Sequence, residues 1–358
     1  MSRPGDPRMG DLFLDAGEVE IIRVDRTDKR VGIGMIYFPH DEGTIRNGGR
    51  AGAKKSPSVV KELLKKFGSV INPAYGDDLR ESVYLVEIGE AEGQTLEDAH
   101  LSLGLLVKQT IMKGLLPMII GGSNDQSYPN ANAWITNKVK DQEFAVINVD
   151  AHLDVRPYIE GEKRHSGSPF YELLNDSRFP KQGTFVEFAA QGHQCSQQHA
   201  DFVTNTHGQK IVWLDTMRDE EHKPHHVFYD LLQNDYWKKR QIFVSFDLDS
   251  IQAAVMPGVS CPSAVGLTAD EAAHIAYYSG QNSNVSLIDF SELNVEVEGD
   301  RSPRMLALLI YNFLMGVAAR DIPEPAAATT PAPATLNPKP ATGYRRRSIV
   351  TMPSFSYE

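Results

Sequence analysis

The sequence predicts a three-layer α/β protein, with a doubly wound, mostly parallel sheet and helices on both faces. Three observations predict it. Strand-length apolar runs alternate with helix-length amphipathic stretches along most of the 358 residues. Several runs are apolar throughout, which reads as buried strand. Every acidic cluster singled out below lies just after such a run, where sheets of this kind carry their ligand sites.

The elements follow in order. Residues 1–27 are mixed and polar and read as an N-terminal arm. Val31-Gly32-Ile33-Gly34-Met35-Ile36-Tyr37 is a first strand. Residues 39–52 are glycine-rich and charged, a long loop of the functional kind. Ser56-Pro57 supplies an N-cap and a first-turn proline, and Val59, Val60, Leu63, Leu64 and Phe67 continue as a helical stripe. Residues 83–88 form a strand, 95–113 a helix closed by Gly114, and 116–120 a short buried strand ending in Gly121-Gly122. A helical stretch at 130–139 leads to Phe144-Ala145-Val146-Ile147, another buried strand. Further strands fall at 185–190, 210–214, 241–246 and 284–290. Residues 201–203 and 227–237 lie in helices between them. Thr268-Ala269-Asp270-Glu271 opens a helix with a capping box, and 302–319 is the last helix. Residues 28–322 thus read as one domain. From Pro323 the chain is rich in Pro, Ala and Thr, then basic, so 323–358 is expected to be a disordered tail. Arg345-Arg346-Arg347-Ser348 within it has the pattern of a basophilic kinase site, and reads first as a solubilising basic patch.

Composition narrows the partners. Hydrophobic residues make up 41% and charged residues 23%, as in a globular protein. A net charge of −11 and a pI near 5.5 argue against nucleic acid and anionic membranes. Cys195 and Cys261 are too few for a disulfide framework or a cysteine zinc site, so a reducing, cytoplasmic compartment is expected. The first residues lack the apolar core of a secretory signal. No apolar run approaches the ~20 residues of a membrane span.

The chemistry begins at Asn148-Val149-Asp150-Ala151-His152-Leu153-Asp154. In an extended segment Asp150, His152 and Asp154 leave one face together. A single acidic strand end is ordinary solvated surface. Here a second one exists: Ile242-Phe243-Val244-Ser245-Phe246-Asp247-Leu248-Asp249 also delivers two carboxylates to one face. Four carboxylates and an imidazole suit Mn²⁺ better than Zn²⁺ or Cu²⁺. Converging without a cation, they would raise one another's pKa. A bound metal would acidify a coordinated water.

These motifs resemble the ureohydrolase family of arginase, agmatinase and formiminoglutamase. Asp150-Ala151-His152-Leu153-Asp154 matches its Asp-Ala-His-x-Asp motif, and Ser245-Phe246-Asp247-Leu248-Asp249 its Ser-Phe/Leu-Asp-x-Asp motif. Ala254–Pro262, Gly266-Leu267-Thr268 and Asp289-Phe290-Ser291-Glu292-Leu293-Asn294 match further segments in the family's order. The resemblance implies an arginase-like fold and a binuclear manganese hydrolase that cleaves C–N bonds. It implies that Glu292 faces the guanidino or formimino end of the substrate. The formiminoglutamase branch is nearest, on Asp41-Glu42-Gly43-Thr44-Ile45-Arg46-Asn47-Gly48-Gly49-Arg50-Ala51-Gly52-Ala53 and Ser166-Gly167-Ser168-Pro169-Phe170. Arg156, beside the metal motif, suits a substrate carboxylate, and Arg46, Arg50 and Ser166 are further substrate-binding candidates.

Two departures matter. The family's Gly-Gly-Asp/Gly-His is Gly121-Gly122-Ser123-Asn124 here, so Asn124 stands where an imidazole ligand is expected, and Asp125 is one residue off. One of two Mn²⁺ sites is therefore expected to be weak or lost, with Ni²⁺ an alternative occupant. Ser166 replaces a proton-shuttling His found in arginases, leaving Asp154, His165 and His193 as candidate general acids. The expected activity is metal-dependent hydrolysis of non-peptide C–N bonds in a linear amidine or guanidino compound. The expected substrate is small, nitrogen-rich and carboxylate-bearing. The competing reading, favoured by Asn124, is a weak or inactive homologue with a binding or regulatory role. By analogy alone the chain is a homo-oligomer, a trimer or hexamer.

Overall fold

A computed structural model describes residues 5–24, 28–140, 142–159, 161 and 163–320. Its strands are β1 (Phe13–Leu14), β2 (Val31–Phe38), β3 (Ile71–Asn72), β4 (Asp77–Asp78), β5 (Val83–Glu90), β6 (Leu116–Gly121), β7 (Phe144–Val149), β8 (Gly183–Ala190), β9 (Lys210–Trp213), β10 (Gln241–Asp247) and β11 (Val285–Ser291). Nine of them make one sheet in the order β1-β5-β2-β6-β11-β10-β7-β8-β9. Every neighbouring pair in it is parallel. β3 and β4 form a separate antiparallel hairpin.

The apolar runs explain the layers. Side chains alternate along a strand, so a continuous apolar run feeds two cores at once. Ile33, Met35 and Tyr37 of β2, with Ile147, Val244, Phe246 and Phe290, pack on one face. Ile36 and Phe38, with Ile119, Phe144, Val146 and Phe243, pack on the other. Helices Ala269–Gln281 and Arg301–Ala318 cover the first core, and Leu96–Met112 and Ser127–Asn137 the second. Removing one such ring, as in Phe243→Ala, costs about 3–5 kcal/mol by lost burial and a residual cavity. The covering helices 269–281 and 301–318 touch backbone to backbone. A Cβ on Gly280 would lie 2.0 Å from the Phe313 carbonyl oxygen, and one on Gly316 2.0 Å from that of Tyr277. The expected capping box at Thr268 and Glu271 is present.

Several local expectations change. The N-terminal segment adds β1 to the sheet edge, pairing Phe13 and Leu14 with Leu85 and Val86; two residues are too short to show periodicity. Ser56 does not cap its helix, because its hydroxyl donates to the Leu293 carbonyl. The long loop contains a short helix, Glu42–Arg46. The helical turn at Gln197–Asp201 continues as a π-turn, Phe202–Thr206. The expected tail, Ser348 included, lies outside the described residues. Among the described residues no helix is long and apolar enough to cross a membrane.

Parallel pairing puts all strand carboxyl ends on one side of the sheet. The four central strands, β6, β11, β10 and β7, therefore bring the segments around Asn124, Glu292, Asp247 and Asp150 to one place.

Candidate metal centre

Asp150 follows β7 directly and is wholly buried, as is Asp247 at the end of β10. The chain turns tightly after each. The backbone N–H of His152 donates to Asp150 Oδ1 at 2.7 Å, and that of Asp249 to Asp247 Oδ1 at 3.0 Å. Two ligand sets result. Asp150, His152 and Asp249 offer atoms within 4.8 Å of one another, and so do Asp150, Asp154 and Asp247. The strand tips expected to meet do meet, with the imidazole between them: His152 Nδ1 lies 3.4 Å from Asp150 Oδ1 and 3.2 Å from Asp249 Oδ2.

Electrostatics decides what this cluster needs. Two like unit charges 4.8 Å apart repel by about 3 kcal/mol at an effective dielectric near 20. Burial first, then Asp150, pushes the Asp154 carboxyl well above the usual range. Burial, then Asp249 and Asp150, does the same to Asp247. Burial opposes a charge on His152, yet the Asp249 and Asp150 carboxylates raise its pKa. Protons thus hold the cluster together where a cation could. Asp249 Oδ1 is buried with no hydrogen-bond partner among the described residues. An idle carboxylate oxygen in a hard, anionic donor set fits a divalent cation of the Mn²⁺ kind.

The opposite wall is built differently. Glu292 is buried, its backbone left-handed at φ 67°, and its N–H donates to the Gly122 carbonyl at 2.6 Å. Its Oε1 accepts from the Asn124 backbone N–H at 2.8 Å and from the Thr44 hydroxyl at 3.0 Å. Burial pushes its pKa up to about 7, against the hydrogen bonds from the Asn124 N–H and the Thr44 hydroxyl. Asp154 is also left-handed, at φ 45°. Left-handed backbone at a non-glycine residue costs about 1–3 kcal/mol and collects at functional sites.

Asn124 is fully buried and fully engaged. Its Oδ1 accepts from Ser127 at 2.9 Å and Ser291 at 3.0 Å, and its Nδ2 donates to Asp154 Oδ2 at 2.7 Å. Asp125 turns away and pairs with the buried His100 at 2.5 Å. Gly43 packs so closely on it that a Cβ there would sit 1.7 Å from Asp125 Oδ1, which seats the helix Glu42–Arg46 and its Thr44 against the site.

Four sequence candidates sit in other roles. Arg46 is held by Glu42 at 2.7 Å, Glu97 at 2.6 Å and the Arg164 carbonyl at 3.1 Å. Arg50 donates to the Val259 and Ser260 carbonyls at 2.8 and 3.1 Å. Both guanidinium groups clamp loops where a substrate contact was expected. The His165 ring also has both nitrogens occupied: Nε2 donates to the Pro157 carbonyl at 3.0 Å, and Nδ1 accepts from the Gly167 N–H at 3.2 Å. Burial lowers its pKa, and the ring's two bonds tie the segment around Pro157 to Gly167. His193 is exposed in the turn Gly192–Gln194. Arg156 and Ser166 do come together, through Asn47, which accepts from Arg156 at 3.1 Å and donates to the Ser166 hydroxyl at 3.0 Å.

The arginase-family model matches residues 31–316. The chain belongs to the arginase family. Formimidoylglutamase of Streptococcus gordonii is 26% identical over 293 residues, 81% of this chain and 85% of that protein. Its counterpart in Aeromonas hydrophila is 28% identical over 287 residues, 79% of this chain and 86% of that protein. Among solved structures, Trypanosoma cruzi formiminoglutamase with Mn²⁺₂ is 40% identical, with a TM-score of 0.78, covering 88% of this chain and 99% of that one. Bacillus subtilis formimidoylglutamase, at 22% identity and a TM-score of 0.76, shares the fold. The chain is thus an arginase-family ureohydrolase of the formiminoglutamase-like kind, as its motifs predict.

Motif reading missed Thr44, Asn47, Ser127 and Ser291, which touch the site residues without being ligand types. Thr44 and Asn47 lie inside the matched loop Asp41–Ala53 and Ser291 inside the matched segment Asp289–Asn294, while Ser127 lies in no matched motif.

Proposed function

We propose that this arginase-family chain hydrolyses the C–N bond of a formimino compound bearing carboxylate groups, of the formiminoglutamate type, using Mn²⁺. The observation that carries the reading is the convergence of Asp150, His152, Asp154, Asp247 and Asp249 within 4.8 Å sets, with Asp249 Oδ1 left idle. These five residues would hold the cations, with Asn124 as a weak sixth. When bound, Mn²⁺ supplies an acidified water and polarises the amidine carbon.

The chain's residues do the rest. Glu292, held by Thr44 and the Asn124 N–H, faces the same space and accepts the amidine N–H groups. Arg156, with Asn47 and Ser166, binds a substrate carboxylate by charge-assisted hydrogen bonds. Asp154, whose Oδ2 accepts from Asn124, carries the proton that leaves the attacking water to the departing amine. Water adds to the amidine carbon, the bond to the substituted amine breaks, and formamide and the free amine result.

Asn124 supports unequal cation sites. Turning its amide over would offer Oδ1 to a cation and its N–H groups to Ser127 and Ser291, whose hydroxyls also accept. An amide oxygen is a weaker donor than imidazole, so one of two cations is held loosely. The test is to load the protein with Mn²⁺, count bound metal, and screen formiminoglutamate, arginine and agmatine for formamide or urea release. Turnover of formiminoglutamate alone is expected. Bound metal without turnover of any of them would favour a binding role for this fold.

A further inference from the structure

Strand β8 carries a glutamate where a core residue belongs. Glu187 is fully buried and lies directly opposite Asn148 in the β7–β8 ladder. Asn148 is equally buried and stands two residues before Asp150. Its single amide nitrogen makes two bonds, donating to Glu187 Oε1 at 3.0 Å and to Asp150 Oδ2 at 3.0 Å. Nothing else holds Glu187: its Oε2 has no partner among the described residues, nor has Asn148 Oδ1. A buried carboxyl with one idle oxygen is unfavourable, and an apolar side chain would pack there at lower cost. Packing alone therefore does not account for Glu187.

We propose that Glu187 is a positioning residue for the metal centre: through the Asn148 amide it fixes the rotation of the Asp150 carboxylate. The geometry runs in one direction. Glu187 accepts one Asn148 N–H, which forces the amide to present its other N–H to Asp150 Oδ2. That leaves Asp150 Oδ1 turned towards His152 and the cation-binding space. Without Glu187 the amide can turn over and set its carbonyl against the Asp150 carboxylate, a repulsive contact that swings the ligand away. Outer hydrogen bonds of this kind typically alter metal affinity about 10–100-fold. The inference rests on the cation reading above, since Asp150 is needed in both candidate ligand sets.

The test uses the full chain, stripped of metal and titrated with Mn²⁺ alone, with free Mn²⁺ read by electron paramagnetic resonance. Glu187→Gln keeps an acceptor for Asn148 and is expected to bind within about threefold of the parent. Glu187→Met removes the acceptor and fills the space; its affinity is expected to fall about 10–100-fold. Melting curves of the metal-free proteins show whether each variant is folded. A folded Glu187→Met with parental affinity overturns the proposal, as does a Glu187→Gln as weak as Glu187→Met. Should Glu187→Met fail to fold, Asn148→Ala removes the bridge from the other side, and parental affinity in that variant overturns the proposal equally. No saturable Mn²⁺ binding by the parent protein would instead overturn the cation reading itself.

Discussion

The tips of β7 and β10 and the tips of β6 and β11 face the same space but leave it in opposite states. On the first side Asp150, Asp154, Asp247 and Asp249 crowd one imidazole, and a carboxylate oxygen has no partner. On the second side Asn124 and Glu292 are satisfied by Thr44, Ser127, Ser291 and each other. The first wall relieves repulsion between its own groups by taking up protons, or a cation in their place. The second is already complete as protein and can wait for a substrate. On the proposed reading the first side is a metal half and the second a recognition half, and each can be attacked separately.

The largest effect is expected on the metal half. Asp247→Ala should abolish saturable Mn²⁺ binding and with it all turnover, measured by metal analysis and formamide release; retained affinity would mean the four carboxylates do not share a cation. Glu292→Gln attacks the recognition half. It should cut turnover about 100-fold or more while bound Mn²⁺ stays at the parental level, because Gln cannot match a carboxylate facing an amidine. Loss of metal in that variant would merge the two halves. Asn124→His moves an imidazole into the recognition half and should tighten the weaker cation about tenfold. Unchanged stoichiometry and affinity would show that Asn124 lies outside metal reach. Arg156→Ala should raise KM about tenfold and leave kcat within about twofold, the pattern of a contact made equally in ground and transition state.

The smallest effect is on stability against pH. In the metal-free protein Glu292 titrates at about 7 and Asp289 at about 6, both raised by burial. An acid whose folded pKa is raised binds protons more tightly when folded, so stability falls as pH rises between its unfolded and folded values. His152, also raised, adds in the same direction above its unfolded value near 6.5. Asp150, lowered, acts oppositely but only near and below pH 4. The Tm of the metal-free protein should therefore drop by several degrees from about pH 4.5 to 7. Mn²⁺ should restore more of it at the upper end, as metal replaces protons. A Tm rising over that range would contradict the buried cluster.

The metal half was legible in the sequence because spacing is all it needs. Asp-x-His-x-Asp and Asp-x-Asp after buried strands fix both ligand type and face. Asn124 was legible as a missing imidazole. The recognition half was not. Thr44 reaches Glu292 across 248 positions of chain. The roles of Arg46 and His165 depend on Glu97, Arg164 and Pro157, partners that only the folded chain supplies. Arginine and histidine beside a motif look like binding groups in one dimension, and become loop clamps once their neighbours arrive. The α/β layering followed directly from the alternation of apolar runs, while β1 was too short to register.

One feature of the sheet governs when the pocket can exist. β11 is among the last elements in the chain, yet it sits between β6 and β10 in the middle of the sheet. Until it inserts, the tips of those two strands lack the spacer that sets their separation, and Glu292 is absent altogether. The tips of β7 and β10 pair directly, so the acidic clusters can meet before β11 arrives, while the wall that carries Asn124 and Glu292 cannot. The acidic half is thus a product of neighbouring strands, and only the wall opposite it waits for the end of the chain to thread into the middle of the sheet.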